Sequence, residues 1–379
     1  MEVFCDKVAH IAMTIGIDIR SLMTPLRTGV AAYAKEFVDA LVQVAPEHTY
    51  VLFYNSFADV TSLIPSWNTP AVRLVRTAWP NKCMNLSLSV LGRPHLDAML
   101  GLPKVAYFFS PNLNFTALSK DTKHILTIHD LSFELFPECY TWKQRAWHRI
   151  LQPKKQCREA YKILTPSQNT KWDIMRVYDI PEENITVISP AISPTFLLSE
   201  KKSSRPLPEK YLLCFGTMEP RKNILSVLEA YAEGNIYARF GYSLVIAGAQ
   251  GWNNAEIQRQ IARTPGVVSI GPVREEEKYD LYRNARLFLY PSLYEGFGFP
   301  VLEAFAAGVP VITSHRSSLP EVVRDSAYLV HPSRHDELVT AMERLLSDNR
   351  LCEILSTRGK KRVEAFSWTR AAEQFLSLL

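Results

Sequence analysis

The chain has 379 residues, of which 47% are hydrophobic and 21% are charged, and these fractions exclude a disordered chain, a collagen-like chain and a coiled coil. The formal net charge of +5 is small for this length and gives no reason to expect a nucleic-acid partner. Because domains commonly contain about 150 residues, the length predicts two or three of them.

Short apolar runs alternate with longer amphipathic segments along the chain. Strands are predicted in the first half at 14–18, 50–54, 72–76, 105–109, 124–128, 162–165 and 186–188. In the second half they are predicted at 211–215, 243–247, 267–270, 287–290, 309–313 and 328–330. The helices between them include one over 30–44 and one over 140–159. Continuous apolar strands that alternate with helices indicate parallel sheets covered on both faces.

A polar, charged and proline-containing segment from 199 to 208 predicts a linker between two halves. The fold class is therefore α/β, with two doubly wound Rossmann-like domains, 1–198 and 199–366, that face each other across a cleft. Such sheets bind ligands at the carboxyl ends of their strands, which predicts a shared site in the cleft.

The cysteines and the N-terminal residues indicate the cellular compartment of the protein. None of the six cysteines has the spacing of a zinc or thioredoxin motif. So small a number of cysteines in a chain of this length indicates a reducing cytosol. The first twelve residues lack an apolar core, so a signal peptide is not expected. The first predicted strand follows Met13, so Met1 and Met13 both fit as the start. The most apolar stretch, 287–313, is typical of a buried α/β unit and not of a membrane span. We therefore expect a cytoplasmic protein.

The strongest motif, EGFGFPVLE at 295–303, follows the predicted strand 287–290. Its glycines would let the backbone approach a ligand closely. The candidate binding residues of this loop are Gly296, Phe297 and Gly298.

Two carboxylates frame this motif. Pro300 suits the first position of a helix, whose N-terminal N–H groups attract anions. Glu295 is then expected in the loop and Glu303 in the first helical turn, where both could bind sugar hydroxyls. For Glu303 alone, the alternative is an acidic residue that complements the helix dipole.

A second motif, FGTMEPRKN at 215–223, follows another predicted strand. Gly216 permits a turn, and Asn223 suits a helix N-cap. Arg221 and Lys222 then stand beside a helix N-terminus, where cations oppose the macrodipole. A bound diphosphate would resolve this conflict, because it suits both a planar guanidinium and a point charge. A solvated basic turn is the alternative.

A third motif places His129 and Asp130 directly after the predicted strand 124–128. The imidazole could exchange a hydrogen bond with a substrate hydroxyl, with Asp130 as its orienting partner. A histidine at a strand end is, however, often structural. A histidine and an aspartate that point into a cleft opposite a diphosphate site nevertheless favour the substrate contact.

A weaker signal lies at the start of the first long helix. Gly29 would let a phosphate approach, and Thr28 could cap the helix, but taken alone this segment fits an ordinary helix start better. The chain contains neither an Asp-x-Asp pair nor GxxxxGK[ST], so no metal ligand is predicted. The charge of a diphosphate would have to be met by Arg221, Lys222 and helix N-termini.

Together these motifs resemble those of the family 4 glycosyltransferases, which have the GT-B fold. The resemblance rests on the two glutamates of EGFGFPVLE, on GTMEPRKN, on the His-Asp pair and on RTGVAAYAKEF, and it covers nearly the whole chain from residue 14. Segments 247–252, 270–285 and 317–332 are also similar. The subgroup resembled is the mannosyl- and rhamnosyltransferases of bacterial surface-polysaccharide synthesis.

The resemblance implies a retaining transferase that moves mannose or a similar hexose from a nucleotide-diphosphate sugar to a glycan or lipid-linked acceptor of O-antigen or capsule synthesis. GDP-mannose is the first candidate donor, and no other cofactor is implied. The first domain would bind the acceptor and the second the nucleotide sugar. A C-terminal helix at 367–379 would cross back to the first domain.

The resemblance also implies roles for single residues. Arg221 and Lys222 would hold the diphosphate. Glu303 would bind the ribose hydroxyls, Glu295 the donor sugar, and His129 the sugar near its anomeric carbon. The remaining donor contacts implied are at Gly29, which would approach the phosphates, and at Gly271 and Val273, which would lie by the base.

Residues 141–162 hold seven Lys or Arg and one acid, a net charge of +6. Apolar side chains interleave with these charges at Trp142, Trp147, Ile150 and Leu151. A basic, aromatic helical face predicts peripheral contact with an anionic membrane, here the inner face of the cell membrane. A solvated helix with core-facing tryptophans is the alternative.

Two other functional classes stay open. A sugar-nucleotide 2-epimerase would have the same fold, and a non-enzymatic sugar receptor would need only the cleft. The spacing of the two glutamates, together with PRKN, favours the transferase. Release of a free nucleoside diphosphate, as opposed to formation of a C2 epimer, separates the two enzymes.

Overall fold

The computed structural model describes residues 12–24, 29–199, 201–202, 205–252 and 254–379. Contacts between residues divide the chain into two compact units. The first comprises Met1–Thr127, Pro153–Ile163 and Ala371–Leu379, and the second comprises Ile128–Gln152 and Leu164–Arg370. Residues 128–152 and 164–198 thus group with the second half of the chain, and the boundary expected at 198/199 stays a prediction.

The first sheet has seven strands. They are β1 (Thr14–Asp18), β2 (Thr49–Asn55), β3 (Val72–Thr77), β4 (Tyr107–Ser110), β5 (Lys123–Thr127), β6 (Lys162–Thr165) and β7 (Ile185–Val187). Their order is β3-β2-β1-β4-β5-β6-β7. β1 lies between β2 and β4, where Ile15 pairs in parallel with Tyr50 and Tyr107. β3 forms an edge of the sheet.

The second sheet has six strands. They are β8 (Tyr211–Phe215), β9 (Ser243–Ala247), β10 (Val267–Gly271), β11 (Leu287–Tyr290), β12 (Val311–Ser314) and β13 (Tyr328–Val330). Their order is β10-β9-β8-β11-β12-β13, and neighbouring strands are parallel. Every strand predicted from the sequence is present within two residues of its expected limits. The prediction of two doubly wound parallel sheets is confirmed.

Helices and turns fill the connections. The helices are α1 (Gly29–Val44), α2 (Asn81–Leu91), α3 (Ser132–Leu135), α4 (Trp142–Leu151), α5 (Pro153–Glu159), α6 (Gln168–Tyr178), α7 (Pro194–Leu197), α8 (Ile224–Glu233), α9 (Ile236–Phe240), α10 (Ala255–Arg263), α11 (Glu275–Arg283), α12 (Phe299–Ala306), α13 (Leu319–Val323), α14 (His335–Ser347), α15 (Asn349–Val363) and α16 (Trp368–Leu376). Short 3-10 turns lie at Arg20–Met23, Thr61–Leu63, Ala98–Leu100, Pro137–Cys139, Glu182–Asn184 and Pro220–Lys222.

The single helix expected over 140–159 is wrong. Gln152 has a φ of 51° and separates α4 from α5. The proline ring of Pro153 disfavours helical geometry at the preceding residue, and its nitrogen has no hydrogen to donate. The expected cap Thr28 lies outside the described residues.

Apolar layers cover both faces of the second sheet. Leu244 and Ile246 of β9 pack into one buried cluster, whereas Val245 and Ala247 pack into the other. Successive strand residues point to opposite faces, so a strand covered on both sides must be apolar at every position. This is why the central residues of β9 form a continuous apolar run in the sequence. The carboxyl ends of β8, β10 and β11 carry the predicted site residues Gly216, Gly271 and Glu295.

The C-terminal residues 371–379 belong to the first unit. There the ring of Phe375 lies 5.5 Å from that of Phe37 and 4.8 Å from that of Phe109. The end of α16 is therefore part of the apolar core that covers β4.

Candidate active site

The loop from β11 to α12 carries the first glutamate of the strongest motif. Gly298 precedes α12 with a φ of 111°, in the left-handed region that favours glycine. α12 begins at Phe299, so Pro300 is its second residue and Glu303 lies in the second turn. The expectation that Glu303 lies in the first turn is wrong, and complementing the helix dipole does not explain this residue.

Two serines after β12 hold the same loop. The Glu295 backbone N–H donates to Ser317 Oγ at 2.9 Å. Ser318 Oγ donates to the carbonyl oxygens of Glu295 at 2.8 Å and Phe297 at 3.0 Å. The backbone around Glu295 is thus fixed on both its donor and its acceptor side. Neither serine was predicted as a site residue, because nothing in the sequence links residue 295 to the end of another strand.

Glu295 is buried and bound by both predicted cations. Arg221 donates to its Oε2 at 2.8 Å, and Lys222 donates to its Oε1 at 2.7 Å. Arg221 also donates to Glu219 at 2.7 Å. Two cations and two carboxylates therefore form a network with no net charge. Sequence reasoning missed Glu219, although it lies only two residues before Arg221.

Two members of this network, Glu295 and Arg221, are ionised at neutral pH. Burial alone would raise the pKa of Glu295, but the charges of Arg221 and Lys222 outweigh burial and lower the pKa to about 2. Burial opposes the charge of Arg221 as well, and Glu295, Asp130 and Glu219 together raise its pKa well above the ordinary value. The charges of Glu295 and Arg221 thus depend on their partners.

This arrangement explains why two cations stand beside the N-terminus of α8. They lie in the turn Pro220–Lys222, and the anions that offset them are Glu219 and Glu295. The expected side-chain cap is wrong, because Asn223 makes no capping bond. Its amide instead donates to the carbonyls of Pro291 at 3.0 Å and Pro332 at 2.6 Å.

The His-Asp pair that follows β5 packs against the glutamate loop. A side chain on Gly296 would overlap the carbonyl oxygen of His129 and lie 2.9 Å from the Cβ of Asp130. Thr170 Oγ1 lies 3.4 Å from the carbonyl oxygens of both His129 and Gly296. Two motifs more than 160 residues apart in sequence therefore meet in one place. Gly296 is required there for close approach between two backbones.

Further contacts support this meeting. Tyr294 donates to Asp173 of α6 at 2.7 Å, and the Leu131 N–H lies 3.5 Å from the same tyrosine oxygen. Asp130 accepts from the N–H of Ser132 at 2.9 Å and from its Oγ at 2.5 Å. The sequence contains no motif that marks Tyr294 or Asp173 as partners.

Glu303 lies apart from that network, and Lys278 of α11 donates to its Oε1 at 3.2 Å. Its other oxygen, Oε2, is buried and meets no donor at hydrogen-bonding distance in the described part of the chain. Burial opposes the charge of Lys278, but Glu303 and Glu275 raise its pKa above the ordinary value. The Oε2 oxygen of Glu303 therefore makes no hydrogen bond of ordinary length, although the Tyr282 hydroxyl lies near it: burial and the neighbouring Glu303 raise the pKa of Tyr282 well above its ordinary value.

The other predicted binding residues lie at strand and helix ends. Gly216 follows β8 with a φ of 147°, and Gly271 ends β10 with a φ of 69°. Val273 packs at the edge of a buried apolar cluster.

Phe297 is buried, with its ring 5.5 Å from Phe299 and 5.4 Å from Phe366, so its side chain is structural. In the first unit, Gly29 is the first residue of α1, and a Cβ there would meet nothing within 4 Å.

The basic segment places its tryptophans in solvent. Trp142 is 73% exposed, Ile150 is 54% exposed and Trp147 is also exposed. Of the four apolar side chains named in the sequence analysis, Leu151 alone is buried. The alternative of core-facing tryptophans is therefore wrong. No helix in the described part of the chain is long and apolar enough to cross a membrane. Nor do the described residues contain three or more His, Cys, Asp or Glu side chains grouped as a metal site.

Comparisons with known proteins agree with this architecture. The family models "Glycosyl transferases group 1" and "Glycosyltransferase Family 4" match residues 197–362 and 27–196. O-antigen chain mannosyltransferase B of Escherichia coli is 32% identical over 274 residues, which are 70% of this chain and 72% of that protein. Serotype-specific mannosyltransferase WbdA of Escherichia coli is 26% identical over 66% of this chain, which spans only 32% of that protein. Sucrose-phosphate synthase from Thermosynechococcus elongatus aligns over 97% of this chain and 98% of that chain, with a TM-score of 0.73 and 19% identity.

Two parallel sheets with these loops define a glycosyltransferase of the GT-B fold. The chain belongs to the family 4 glycosyltransferases, which take their sugars from nucleotide-sugar donors. The match assigns the enzyme to the transferases and not to the 2-epimerases or the sugar receptors that the sequence analysis left open. The resemblance predicted from the motifs is confirmed.

Proposed function

We propose that the protein is a retaining mannosyltransferase that moves mannose from GDP-mannose to a glycan or lipid-linked acceptor in O-antigen or capsule synthesis. The names of the two Escherichia coli relatives support mannose as the sugar, and one of them supports the O-antigen as the product. The observation that carries the proposed site is the close approach of His129 to Gly296, beside the carboxylate of Glu295.

The diphosphate would bind where N–H groups are still unused. Arg221 donates from its two terminal nitrogens, but its Nε is buried and has no hydrogen-bond partner among the described residues. Lys222 donates to Tyr290 at 2.6 Å and to Glu295 at 2.7 Å, which leaves one of its three N–H groups. An anion that takes a share of these donors would release Glu295 to accept hydrogen bonds from the donor sugar.

The nucleoside would bind farther along the strand ends. The unused Oε2 of Glu303 would accept from a ribose hydroxyl, which suits a buried acceptor without a donor. The base would lie by Gly271 and Val273, where the backbone turns at the end of β10. A phosphate could approach Gly29 closely, because the space beside its Cα is open: a Cβ there would meet no atom within 4 Å.

In the transfer step, the bond from the sugar C1 to the diphosphate oxygen breaks, and a bond from the acceptor oxygen to C1 forms on the same face. The acceptor proton passes to the departing phosphate oxygen. Arg221 and Lys222 would stabilise the charge that develops on that oxygen. His129 would contact the sugar beside C1 and orient it. Asp130, whose carboxylate is held by Ser132, would support that segment and add negative charge near the site.

A membrane contact would bring the enzyme to a lipid-linked acceptor. The exposed side of α4 combines Trp142, Trp147 and Ile150 with Lys143 and Arg149. Aromatic and cationic side chains on one helical face favour the interface of an anionic bilayer. We therefore include peripheral binding through 141–162 in the proposal.

The central test is His129→Ala. We expect turnover, measured as release of GDP from GDP-mannose with an acceptor extract, to fall at least a hundredfold, because a sugar-positioning group is lost at the reacting carbon. The affinity for GDP by calorimetry should stay within about twofold, because the nucleotide binds elsewhere. His335→Ala on α14 is the matched control and should keep wild-type turnover.

Unchanged turnover in His129→Ala would overturn the proposed site. The donor is tested separately by thermal shifts with GDP, UDP, dTDP and their sugars, since a ligand that binds the native state raises Tm. A shift with UDP-sugars alone would exclude GDP-mannose. Proton NMR of the product reports the anomeric configuration, and an inverted product would exclude retention.

A further inference from the structure

One largely buried lysine in the second unit has no role in the reaction proposed above. Lys278 lies on α11, within the segment 270–285, and was not predicted as a site residue. Its side chain is only 17% exposed, whereas lysine side chains are seldom buried unless they are paired. The partners of such a lysine therefore indicate what it does.

Two carboxylates bind Lys278. Its ammonium donates to Glu275 Oε2 at 2.8 Å and to Glu303 Oε1 at 3.2 Å. Glu275 lies three residues earlier, at the start of α11, where its negative charge complements the helix dipole. The ammonium also lies 5.4 Å from the centre of the Phe215 ring, at the carboxyl end of β8. Lys278 thus reaches from α11 to the strand ends that carry the proposed donor site.

The two carboxylates differ in what else can bind them. The side chain of Glu275 is 36% exposed and can accept hydrogen bonds from water, whereas that of Glu303 is 10% exposed. Lys278 also makes its shorter bond to Glu275. Among the described side chains, Lys278 gives Glu303 its only hydrogen bond. A further donor that enters the site would therefore stabilise this buried carboxylate.

The bond from Lys278 determines which oxygen of Glu303 is left for such a donor. Oε1 accepts from the ammonium, and Oε2 is buried without a hydrogen-bond partner in the described part of the chain. The Tyr282 hydroxyl lies near this carboxylate, but among the same residues it too has no partner within hydrogen-bonding distance. The terminal torsion of a glutamate has broad energy minima, so one bond to Oε1 fixes the plane of the carboxylate.

We propose that Lys278 is a positioning residue that holds Oε1 of Glu303 and thereby leaves Oε2 to one hydroxyl of the donor ribose. This inference rests on the role proposed for Glu303, but it does not depend on the identity of the base or of the sugar. A carboxylate that is already held in place accepts the hydroxyl without first losing rotational freedom. Lys278 would act through Glu303 and would not touch the nucleotide.

The test measures the affinities of the full chain for GDP, 2′-deoxy-GDP and 3′-deoxy-GDP by calorimetry. We define the ribose ratio as the affinity for GDP divided by that for the weaker deoxy analogue. In the wild type this ratio should be roughly ten to a hundred, because the analogue loses a hydrogen bond to a charged acceptor.

Lys278→Met keeps the length of the side chain and removes its ammonium. We expect the ribose ratio to fall below about threefold, because Glu303 is no longer oriented, and the affinity for the weaker analogue to stay within about threefold of the wild type. If Lys278 only ties α11 to α12, the variant should instead weaken all three ligands equally, and the proposal would be overturned.

Further variants separate position from charge. Lys278→Arg keeps a cation and should restore the ribose ratio to within about threefold of the wild type. Glu303→Gln should lower the ratio as Lys278→Met does, and combining the two should lower it no further, because the two residues act as one unit. Lys361→Met removes an exposed lysine of α15 and is the matched control, for which the wild-type ratio is expected.

The outcomes distinguish this inference from the proposed function. A ribose ratio that is lost in Glu303→Gln but kept in Lys278→Met would overturn the inference alone. A wild type that binds GDP and both analogues equally would remove Glu303 from the ribose, and the inference with it. If GDP does not bind, UDP and its deoxy analogues are used with the same criteria, since the ribose is common to both nucleotides.

A second variant covers the case in which Lys278→Met does not fold, which urea denaturation detects. Glu275→Gln changes a partly exposed side chain and removes the carboxylate that competes for the ammonium. Lys278 then binds Glu303 alone, so the ribose ratio should stay at or above the wild-type value. A ratio below about threefold in this variant would overturn the proposal.

Discussion

The cations of the candidate site and the cations of α4 lie in opposite environments. Arg221 and Lys222 are largely buried and each is paired with a carboxylate, whereas Lys143 and Arg149 are exposed beside tryptophans. Both groups add to the same net charge of +5. The comparison shows that burial determines what a cationic side chain can bind. A buried cation needs an anionic partner from the protein or from a ligand, whereas an exposed cation can attract an anionic membrane surface.

The largest expected effect comes from breaking the buried network. Glu295→Gln leaves Arg221 with Glu219 and the nearby Asp130 and removes the carboxylate that is paired with Lys222, so the free energy of unfolding should fall by about 3–5 kcal/mol, as when one partner of a buried ion pair is removed. Urea denaturation measures this loss. Lys143→Gln removes an exposed charge and should change the same quantity by less than about 0.5 kcal/mol. Equal stabilities of the two variants would contradict the contrast.

The network also determines how the free energy of unfolding changes with pH. Because the folded pKa of Glu295 is lowered to about 2, its contribution is present above the unfolded pKa and is lost as pH falls from there toward 2. The contribution is on the order of 3 kcal/mol. Stability of the wild type should therefore fall more steeply with acid than that of Glu295→Gln. Parallel pH profiles would contradict a lowered pKa.

A second, smaller effect tests the site without changing any charge. Gly296→Ala places a Cβ on the carbonyl oxygen of His129, so we expect a loss of about 1–3 kcal/mol from overpacking, together with most of the turnover. Gly29→Ala is the matched control, because nothing lies within 4 Å of its Cβ and alanine suits a helix. Thermal unfolding compares the two, and a fully stable Gly296→Ala would contradict the close approach.

Gly29→Ala also separates folding from binding. Its stability should match the wild type, but its affinity for GDP should fall if a phosphate approaches this glycine closely. Unchanged affinity would remove Gly29 from the proposed donor site.

The smallest effect on the protein itself is expected at the exposed helix. Trp142→Ala/Trp147→Ala should leave the free energy of unfolding nearly unchanged and lower affinity for anionic vesicles several-fold. Added salt should weaken wild-type binding, because it screens the basic side chains. Trp172→Ala replaces another exposed tryptophan, on α6, and is the control. Vesicle binding by the double variant at wild-type strength would exclude α4 from the contact.

The sequence predicted the strands well because each is a short continuous apolar run, and a parallel strand covered on both faces has that signature. It also singled out Glu295, Arg221 and His129, because each follows the end of such a strand. It failed where one element depends on another. The start of α12 and the missing cap bond of Asn223 depend on partners that no motif encodes. The break at Gln152 is different, because Pro153 marks it in the sequence itself.

The sequence by itself determined the two sheets, the family and the positions of the strand-end motifs, since periodicity and short motifs are local properties. Only the tertiary structure decided that Glu295 binds both cations and that Gly296 touches His129. It alone identified Glu219 and Ser318 as their supports. Such pairings depend on which strand ends lie side by side, and that order follows from packing between segments far apart in the chain.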